Sequence, residues 1–285
     1  MGAAALASLR LFTSGGAAHG AVPKETTAAD SLESVEKIAQ EALDIQEVQN
    51  VWSLHCHMNA RGQNREEIDA IWAQRQPDVA YIESDGMWIG LDAVKRGYCE
   101  WFEESLKERL KKIRRLYPKF EDDPKYAFVG WQKMTTNASP EIVIAGDGKT
   151  AKGAWESVGF ITDSDMAMWV YQRYFVDFIK EDGAWKIWHA NLLVSMNHDP
   201  EKSWADGNCE LMNHKKPDYG APRPAWSKTE LRSQPYAKDK LSGILTQGCP
   251  RLPEPYYTFS ETHSYGPDML ESWAGLDSKA KTARQ

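Results

Sequence analysis

Three long runs of β-branched and aromatic residues constrain the fold of this chain most. They span residues 151–160, 166–180 and 184–195. Short polar breaks separate them, with the sequence Asp-Ser-Asp at 163–165 and Glu-Asp-Gly at 181–183. Runs of this composition joined by short polar turns are typical of antiparallel strands connected as hairpins. The sequence therefore predicts an antiparallel meander.

Helical patterns precede these strands. The first helix is predicted over residues 34–60, where apolar side chains recur on one broad face of a helical wheel. On that wheel His55 lies on the apolar face and His57 on the opposite, solvent-facing side. A short helix over residues 65–74 follows, and Asn64 is its candidate N-cap. One histidine of the first helix is therefore expected to point inward.

A hairpin, a long helix and further strands complete the predicted core. The hairpin spans residues 79–89 and turns at Asp85 and Gly86, the helix covers residues 91–116, and strand-like residues return over 128–144. Helices grouped before a continuous run of antiparallel strands are typical of an α+β layer fold. We therefore predict a curved antiparallel sheet wrapped around helices, forming a cone-shaped barrel with an internal pocket.

Composition excludes several classes of function. The net charge of −7 argues against nucleic-acid binding, since such proteins meet phosphate with a positive field. No apolar run approaches the ~18 residues of a membrane span, and the alanine-rich N-terminus lacks the basic flank of a cleaved signal. The four cysteines show no disulfide or zinc spacing, which favours free thiols in a reducing compartment. A cytoplasmic protein without nucleic-acid or membrane partners is expected.

Composition also divides the chain into three regions. Residues 1–33 are rich in Ala, Gly and Thr without periodicity, which predicts a flexible tail. Residues 34–199 hold the predicted helices and strands. Residues 200–285 carry nine of the fourteen prolines, which support little regular structure. Because this region also contains many Trp and Tyr side chains, it is expected to be a mostly irregular extension packed on the core or on a partner subunit.

Four stretches of the chain resemble the SnoaL-like family of the nuclear transport factor 2-like superfamily. They are the first helix with His55, the Gly-Leu-Asp-Ala-Val sequence at 90–94, the Asp-Gly-Lys-Thr-Ala-Lys-Gly sequence at 147–153, and the run at 178–187 that leads to His189. The resemblance implies a cone-shaped α+β barrel, usually dimeric, with a cofactor-free site inside the cone. The superfamily includes cyclases, dehydratases, isomerases, lyases and non-catalytic binders, so the resemblance is specific for the fold rather than the reaction.

Two histidines are the candidate catalytic residues. Helical periodicity directs His55 inward. In the last strand His189 alternates with Trp188, and because both faces carry bulky residues, alternation leaves its direction open. The resemblance implies that His189 faces the inside of the cone. His55 and His189 are then expected to converge in one aromatic cavity.

Further side chains are expected to contact a hydrophobic substrate in this cavity. They are Tyr81, Trp88, Tyr98 and Asn191. Apolar surroundings favour the neutral imidazole, which is a suitable general base for a proton beside a carbonyl or at a benzylic carbon. A second group would protonate the departing hydroxyl. The alternative is that each histidine is only a hydrogen-bonded core residue, with Trp88 and Tyr98 filling the core.

No metal or cofactor is predicted. On a helix His55 and His57 diverge by about 200°, so they cannot chelate one ion. The chain has no Gly-x-Gly-x-x-Gly sequence, Walker loop or Gly-x-Ser-x-Gly elbow. The expected function is a cofactor-independent lyase or isomerase, with dehydration of an aromatic or polycyclic small molecule leading. Aldol-type cyclisation, C–C cleavage, and a non-catalytic binding or assembly module are the alternatives, and a homodimer or higher homo-oligomer is expected.

Overall fold

The described part of the chain is nearly continuous through the predicted core. The computed structural model describes residues 28–83, 86–120, 122–163, 166–198, 200–201 and 250–267. Most of the predicted flexible tail, the turn residue Asp85 and much of the C-terminal extension therefore lie outside the described residues. The chain divides into two compact units, residues 1–39 and 40–285, and the site belongs to the second unit.

The helices follow the predicted order. Their bounds are α1 Ala28–Ala60, α2 Asn64–Ile71, α3 Leu91–Val94, a π-helical segment Lys95–Glu100, and α4 Trp101–Leu116. None of the helices among the described residues is long and apolar enough to cross a membrane. Asn64 is the first residue of α2 rather than its N-cap, and its side chain donates instead to the Tyr98 carbonyl at 2.7 Å.

The helix predicted over residues 91–116 is present, but its middle is wound as a π-helix. Gly97 in this segment lies directly against the Trp88 side chain. A Cβ atom added at Gly97 would fall 2.2 Å from Trp88 Nε1. A residue without a side chain is therefore required here, because any other residue would overlap the indole.

Within the part of the chain that the structure describes, seven strands form one sheet. Their bounds are β1 Ala80–Glu83, β2 Gly86–Ile89, β3 Gln132–Met134, β4 Ala138–Ile144, β5 Thr150–Asp163, β6 Met166–Glu181 and β7 Ala184–His198. The strand order is β2-β1-β7-β6-β5-β3, and β4 also pairs with β5. The predicted meander is confirmed as β5, β6 and β7, which pair antiparallel in sequence.

Two details of the sheet differ from the predictions. β1 pairs with β7 in parallel, because a long connection rather than a hairpin joins them. The strand predicted from residue 128 begins only at Gln132, since Pro124–Phe128 forms a 3-10 turn. The Asp123 side chain caps that turn by accepting a hydrogen bond from the Lys125 backbone N–H at 3.0 Å.

The α+β class is confirmed, with a curved sheet that packs against helices and does not close on itself. Val48 and Trp52 of α1 and Phe178 and Ile187 of the sheet are fully buried in one core cluster. Burying one such side chain stabilises the fold by about 1.5–3 kcal/mol. The predicted inward face of the first helix is correct at its centre, whereas Ile45 lies at the edge of that face with 36% of its surface exposed.

Residues 250–267, which we call the strap, bind to the sheet. The Tyr256 carbonyl accepts a hydrogen bond from the Gly146 backbone at 2.9 Å. The Tyr265 ring packs against Phe175 of β6 with 5.4 Å between centroids. A short 3-10 turn, Phe259–Glu261, carries a capping box with Thr258. This part of the proline-rich extension is therefore ordered against the core.

Candidate active site

The site is built around His55, which α1 holds in the helix-side core. The His55 ring stacks on the Trp52 indole with centroids 4.3 Å apart and an interplanar angle of 20°. Its Nδ1 atom lies 2.7 Å from Oε1 of Glu67, which comes from α2. Glu67 is completely buried and His55 is 3% exposed. Two helices therefore bring an imidazole and a carboxylate together away from solvent.

The Glu67 carboxylate accepts two further hydrogen bonds. Trp72 Nε1 donates to Oε1 and Tyr98 Oη to Oε2, each at 2.9 Å. A buried carboxylate is stable only where such donors compensate its charge. Because an ionised carboxylate can only accept, its pairing with His55 assigns the imidazole proton to Nδ1. The lone pair of His55 is then on Nε2, and none of the described residues hydrogen-bonds that atom.

Tyr98, from the π-helical segment, connects the pair to further polar groups. Burial, and next the charge of Glu67, raise the pKa of Tyr98 well above its usual range, so its hydroxyl stays protonated. That hydroxyl accepts a hydrogen bond from Asn59 Nδ2 at 2.6 Å. The Asn59 carbonyl oxygen in turn accepts one from the Lys133 ammonium of β3. A continuous hydrogen-bonded chain therefore extends from His55 to Lys133.

Three of the predicted substrate-contacting residues surround this chain. The ring centroids of Tyr81 and Tyr98 are 4.9 Å apart, those of Tyr81 and Trp88 5.6 Å, and those of His55 and Tyr98 6.3 Å. The Tyr81, Trp88 and Tyr98 rings belong to the buried core cluster. The structure thus brings Tyr81, Trp88 and Tyr98 together, with Tyr98 beside His55. Their contact with a substrate stays a prediction.

His189 does not join this group, because β7 contains a bulge. Phe178 pairs with Ile187 and Asp177 with His189, so Trp188 is an extra residue between the two pairs. Because of this extra residue, the side chains that follow the bulge point to the face opposite to the one that strict alternation predicts. Ile187 lies in the helix-side core, while His189 points to the face that the strap covers. The expected convergence of His55 and His189 is therefore wrong.

Asn191 follows His189 to the strap side. Its Nδ2 atom contacts the Tyr265 carbonyl oxygen at 3.5 Å, and it is completely buried. The Gly266 backbone lies against the His189 ring, where an added Cβ would fall 2.7 Å from ring atoms. Asn191 and His189 are therefore separated by the sheet from Tyr81 and Trp88, with which they were predicted to form one pocket.

On the strap side His189 belongs to a buried charge network. Asp177 Oδ2 lies 2.8 Å from His189 Nδ1, and Asp177 Oδ1 lies 2.5 Å from Lys152 Nζ. Asp177 and Lys152 are both completely buried. The Tyr265 backbone N–H also donates to Asp177 Oδ2 at 2.6 Å. The carboxylate therefore binds two neighbouring strands and the strap at once.

The charges of this network shift the acid–base equilibria of its members. Burial would raise the pKa of Asp177, but Lys152 and His189 outweigh it and lower the pKa to about 2. Burial would lower the pKa of His189, yet Asp177 and Asp78 raise it above its usual range. For Lys152, burial dominates and lowers the pKa. His189 is thus biased toward the imidazolium, contrary to the neutral imidazole expected from the sequence.

Ser264 of the strap also contacts this network without forming a nucleophilic triad. Its Oγ lies 3.3 Å from His189 Nδ1 and 3.2 Å from Asp177 Oδ2. In a triad, the nucleophile and the acid occupy different nitrogens of the histidine. Here both face Nδ1, so His189 cannot transfer a proton from one to the other. The arrangement fits a structural network.

Comparison with known proteins identifies the family. The model of the SnoaL-like domain matches residues 40–191, more than half of the chain. The chain belongs to the SnoaL-like family. No curated protein matches this SnoaL-like chain in sequence.

Solved structures resemble this chain only weakly. An NTF2-like protein with a cystatin-like fold from Novosphingobium aromaticivorans is 12% identical, with a TM-score of 0.39, over 64% of this chain and 96% of that one. The hexachlorocyclohexane dehydrochlorinase LinA-type3 from Novosphingobium barchaimii is 13% identical, with a TM-score of 0.37, over 60% of this chain and 96% of that one. Likeness at this level carries no information about the reaction of the SnoaL-like chain.

Sequence reasoning missed three polar members of the site, Glu67, Asn59 and Lys133. A signal for Glu67 was present, because it lies four residues before Ile71 and so shares the inward face of the second helix. Lys133 had none, since its strand is only three residues long. Within the described residues, no group of three or more His, Cys, Asp or Glu side chains could hold a metal ion in this SnoaL-like protein.

Proposed function

We propose that this SnoaL-like protein is a cofactor-independent lyase that eliminates water from a hydrophobic aromatic or polycyclic small molecule. The observation that carries this proposal is the buried His55–Glu67 pair, 2.7 Å apart, with His55 Nε2 bonded to none of the described residues. Such a nitrogen is available to a substrate. Positioned general bases of this kind typically accelerate proton transfer by about 10²–10⁴-fold.

The chemistry follows from the tautomer of His55. Nε2 removes a proton from the carbon beside a carbonyl, and the electron pair of that C–H bond forms the new double bond as the C–O bond on the next carbon breaks. The departing hydroxide takes a proton from the imidazolium, so water leaves and His55 returns to its starting state. Glu67 stabilises the imidazolium between these steps and holds the ring by its Nδ1–H. Glu67 acts as a positioning residue.

The aromatic neighbours support a flat, apolar substrate. The Trp52 and Tyr98 rings lie beside the imidazole, with centroids 4.3 and 6.3 Å away, and the Tyr81 ring packs on Tyr98. Side chains of this kind line pockets for apolar ligands and exclude water from the reacting centre. Removal of water strengthens the attraction between the carboxylate and the imidazolium that forms during the reaction. Isomerisation and aldol-type ring closure use the same base and follow from the same geometry.

A non-catalytic binding or assembly module is the second candidate function. The observation that favours it is the deep burial of the same rings, since Trp52 is fully buried and Trp88 and Tyr98 are only 2% and 6% exposed. An interior filled by its own side chains would support a scaffold rather than a turnover site. The two candidates differ in whether His55 is needed for a reaction.

The experiment uses a panel of aryl β-hydroxy ketones, some neutral and some with a carboxylate on the ring, whose dehydration forms a conjugated enone that absorbs in the near ultraviolet. We expect the wild-type protein to form the enone from at least one member, and His55→Gln to lose about 100-fold or more of kcat. His57→Gln is the matched control, because His57 is exposed on the same helix. Full turnover in His55→Gln, or no turnover by a folded wild-type protein across the panel, contradicts the proposal.

A further inference from the structure

Lys133 lies at the far end of the hydrogen-bonded chain that begins at His55. It is half-buried on β3, and its ammonium donates to the Asn59 carbonyl oxygen. The amide nitrogen of Asn59 donates to the Tyr98 hydroxyl, which donates to Glu67. Asn59 and His55 are separated by one helical turn of α1. The ammonium is therefore fixed on the same side of the sheet as the proposed base.

The charge of Lys133 has no carboxylate partner among the described residues, where no Asp or Glu oxygen lies within 4.0 Å of its ammonium. Other lysines with little exposure do have one. Fully buried Lys152 lies 2.5 Å from Asp177, and partly buried Lys180 lies 2.6 Å from Asp44. Burial lowers the pKa of Lys133 below its usual range, which is the cost of holding an ammonium away from water without a counter-ion.

A second donor near the base is also unused. The Trp52 indole, which stacks on His55, is completely buried, and its Nε1–H finds no hydrogen-bond acceptor among the described residues. Buried polar groups without a partner are rare in folded proteins and call for an explanation, such as a missing ligand. Lys133 and Trp52 are both donors, so a ligand that satisfies them presents acceptor oxygens.

We propose that Lys133 binds an anionic oxygen of the substrate, so the site takes aromatic carboxylates rather than neutral aromatic molecules. This inference rests on the proposed function, because it assigns a substrate class to the same site. The carboxylate accepts from the Lys133 ammonium, which stays oriented by Asn59. The aromatic part of the substrate lies among the rings near His55. Lys133 thereby selects substrates by their charge, and His55 removes the proton.

The test compares aryl carboxylates with their primary amides, pair by pair, by isothermal titration calorimetry at neutral pH. Each pair has nearly the same shape and differs in charge. We expect wild-type protein to bind the acids more tightly, and Lys133→Met to bind them about 10- to 100-fold more weakly while its affinity for the amides is unchanged. Lys133→Arg should retain the preference, which separates loss of charge from loss of folding.

Lys149→Met is the matched control, because Lys149 is exposed in the β4–β5 turn. Equal binding of acids and amides by the wild-type protein, a preference for acids that survives in Lys133→Met, or a panel in which no acid binds would each overturn the inference. His55→Gln separates the two proposals. A retained preference for acids together with unchanged turnover in that variant would reject the elimination mechanism and leave the role of Lys133 intact.

Discussion

His189 Nδ1 and Asp177 Oδ2 lie 2.8 Å apart on the face of the sheet that is turned away from His55. The two sides of one sheet therefore carry two different arrangements of a histidine with a carboxylate. On the helix side the second ring nitrogen of the histidine is unbonded within the described structure. On the strap side a lysine, a serine and a backbone N–H crowd the carboxylate. His189 Nε2 also has no hydrogen-bond partner among the described residues and lies 3.6 Å from Asp78 Oδ2, so the two arrangements differ in the groups that surround the carboxylate.

Replacing Glu67 with Gln should remove the negative charge that stabilises the His55 imidazolium. His55 Nδ1 and Trp72 Nε1 both bond Oε1, so the amide oxygen of Glu67→Gln keeps that position, the amide nitrogen faces the Tyr98 hydroxyl, and the imidazole proton stays on Nδ1. We expect kcat to fall by about 10²-fold or more, with an unchanged ¹⁵N chemical-shift pattern of the His55 ring in the resting protein. Unchanged kcat would show that the charge of Glu67 does not support the base.

Tyr98→Phe should destabilise the fold and weaken the network. The substitution removes a donor to the fully buried Glu67 and an acceptor for the half-buried Asn59. The expected loss in free energy of unfolding is about 1–3 kcal/mol, measured by urea denaturation. Tyr117→Phe is the control, since Tyr117 is 42% exposed, and it should be nearly neutral. Equal effects of the two substitutions would argue against a structural role of the Tyr98 hydroxyl.

Asp177→Asn should be among the most damaging substitutions in the domain. It leaves the fully buried Lys152 without its counter-ion, and the loss of one partner of a buried pair costs about 3–5 kcal/mol. Limited trypsin digestion at Arg251 reports whether the strap detaches. Asp182→Asn serves as the control, because the Asp182 side chain is 71% exposed. A variant as stable and protease-resistant as the control would contradict the network.

The network should also make stability depend on pH in two windows. The pKa of Asp177 is depressed to about 2, so its stabilisation is present above the unfolded value near 3.8 and is lost as pH falls from there toward 2. The pKa of His189 is raised, so its contribution is complete below its unfolded value of 6.5 and is lost as pH rises through its folded pKa. Urea midpoints of the wild-type protein and His189→Gln, measured from pH 2 to 10, should differ below pH 6.5 and converge once the pH exceeds the folded pKa of His189, and the wild-type midpoint should fall between pH 3.8 and 2. Parallel profiles would contradict this.

Gly97→Ala should destabilise the protein even though alanine favours helices. The new methyl group would overlap the Trp88 indole, and overpacking of this kind costs about 1–3 kcal/mol. The Trp88→Leu background removes the indole, and there the same substitution should cost much less. Additive effects of the two changes in thermal unfolding would show that the close contact is not what selects glycine.

The sequence predicted the core well because its signals are periodic. Alternating and helical patterns located β5, β6, β7 and the inward direction of His55. The same reasoning failed at His189, because one extra residue at Trp188 reverses strand alternation and leaves no compositional mark. Lys133 was also missed, since its importance depends on a contact with Asn59, 74 residues away in sequence. Local sequence patterns predict which way a side chain points, but its contacts depend on residues that are distant in the sequence.

The strap changes what counts as the smallest unit that can fold. The SnoaL-like match ends at residue 191, but the Asp177 carboxylate receives a backbone N–H from Tyr265. A chain shortened to residue 191 would lack the strap. It would therefore expose Lys152, Asp177 and His189, together with the apolar surface of Phe175. Such a truncated protein should aggregate, because the exposed face of the sheet would carry both charged and apolar side chains. The region that matches the family and the region needed for a stable fold therefore end at different residues in this molecule.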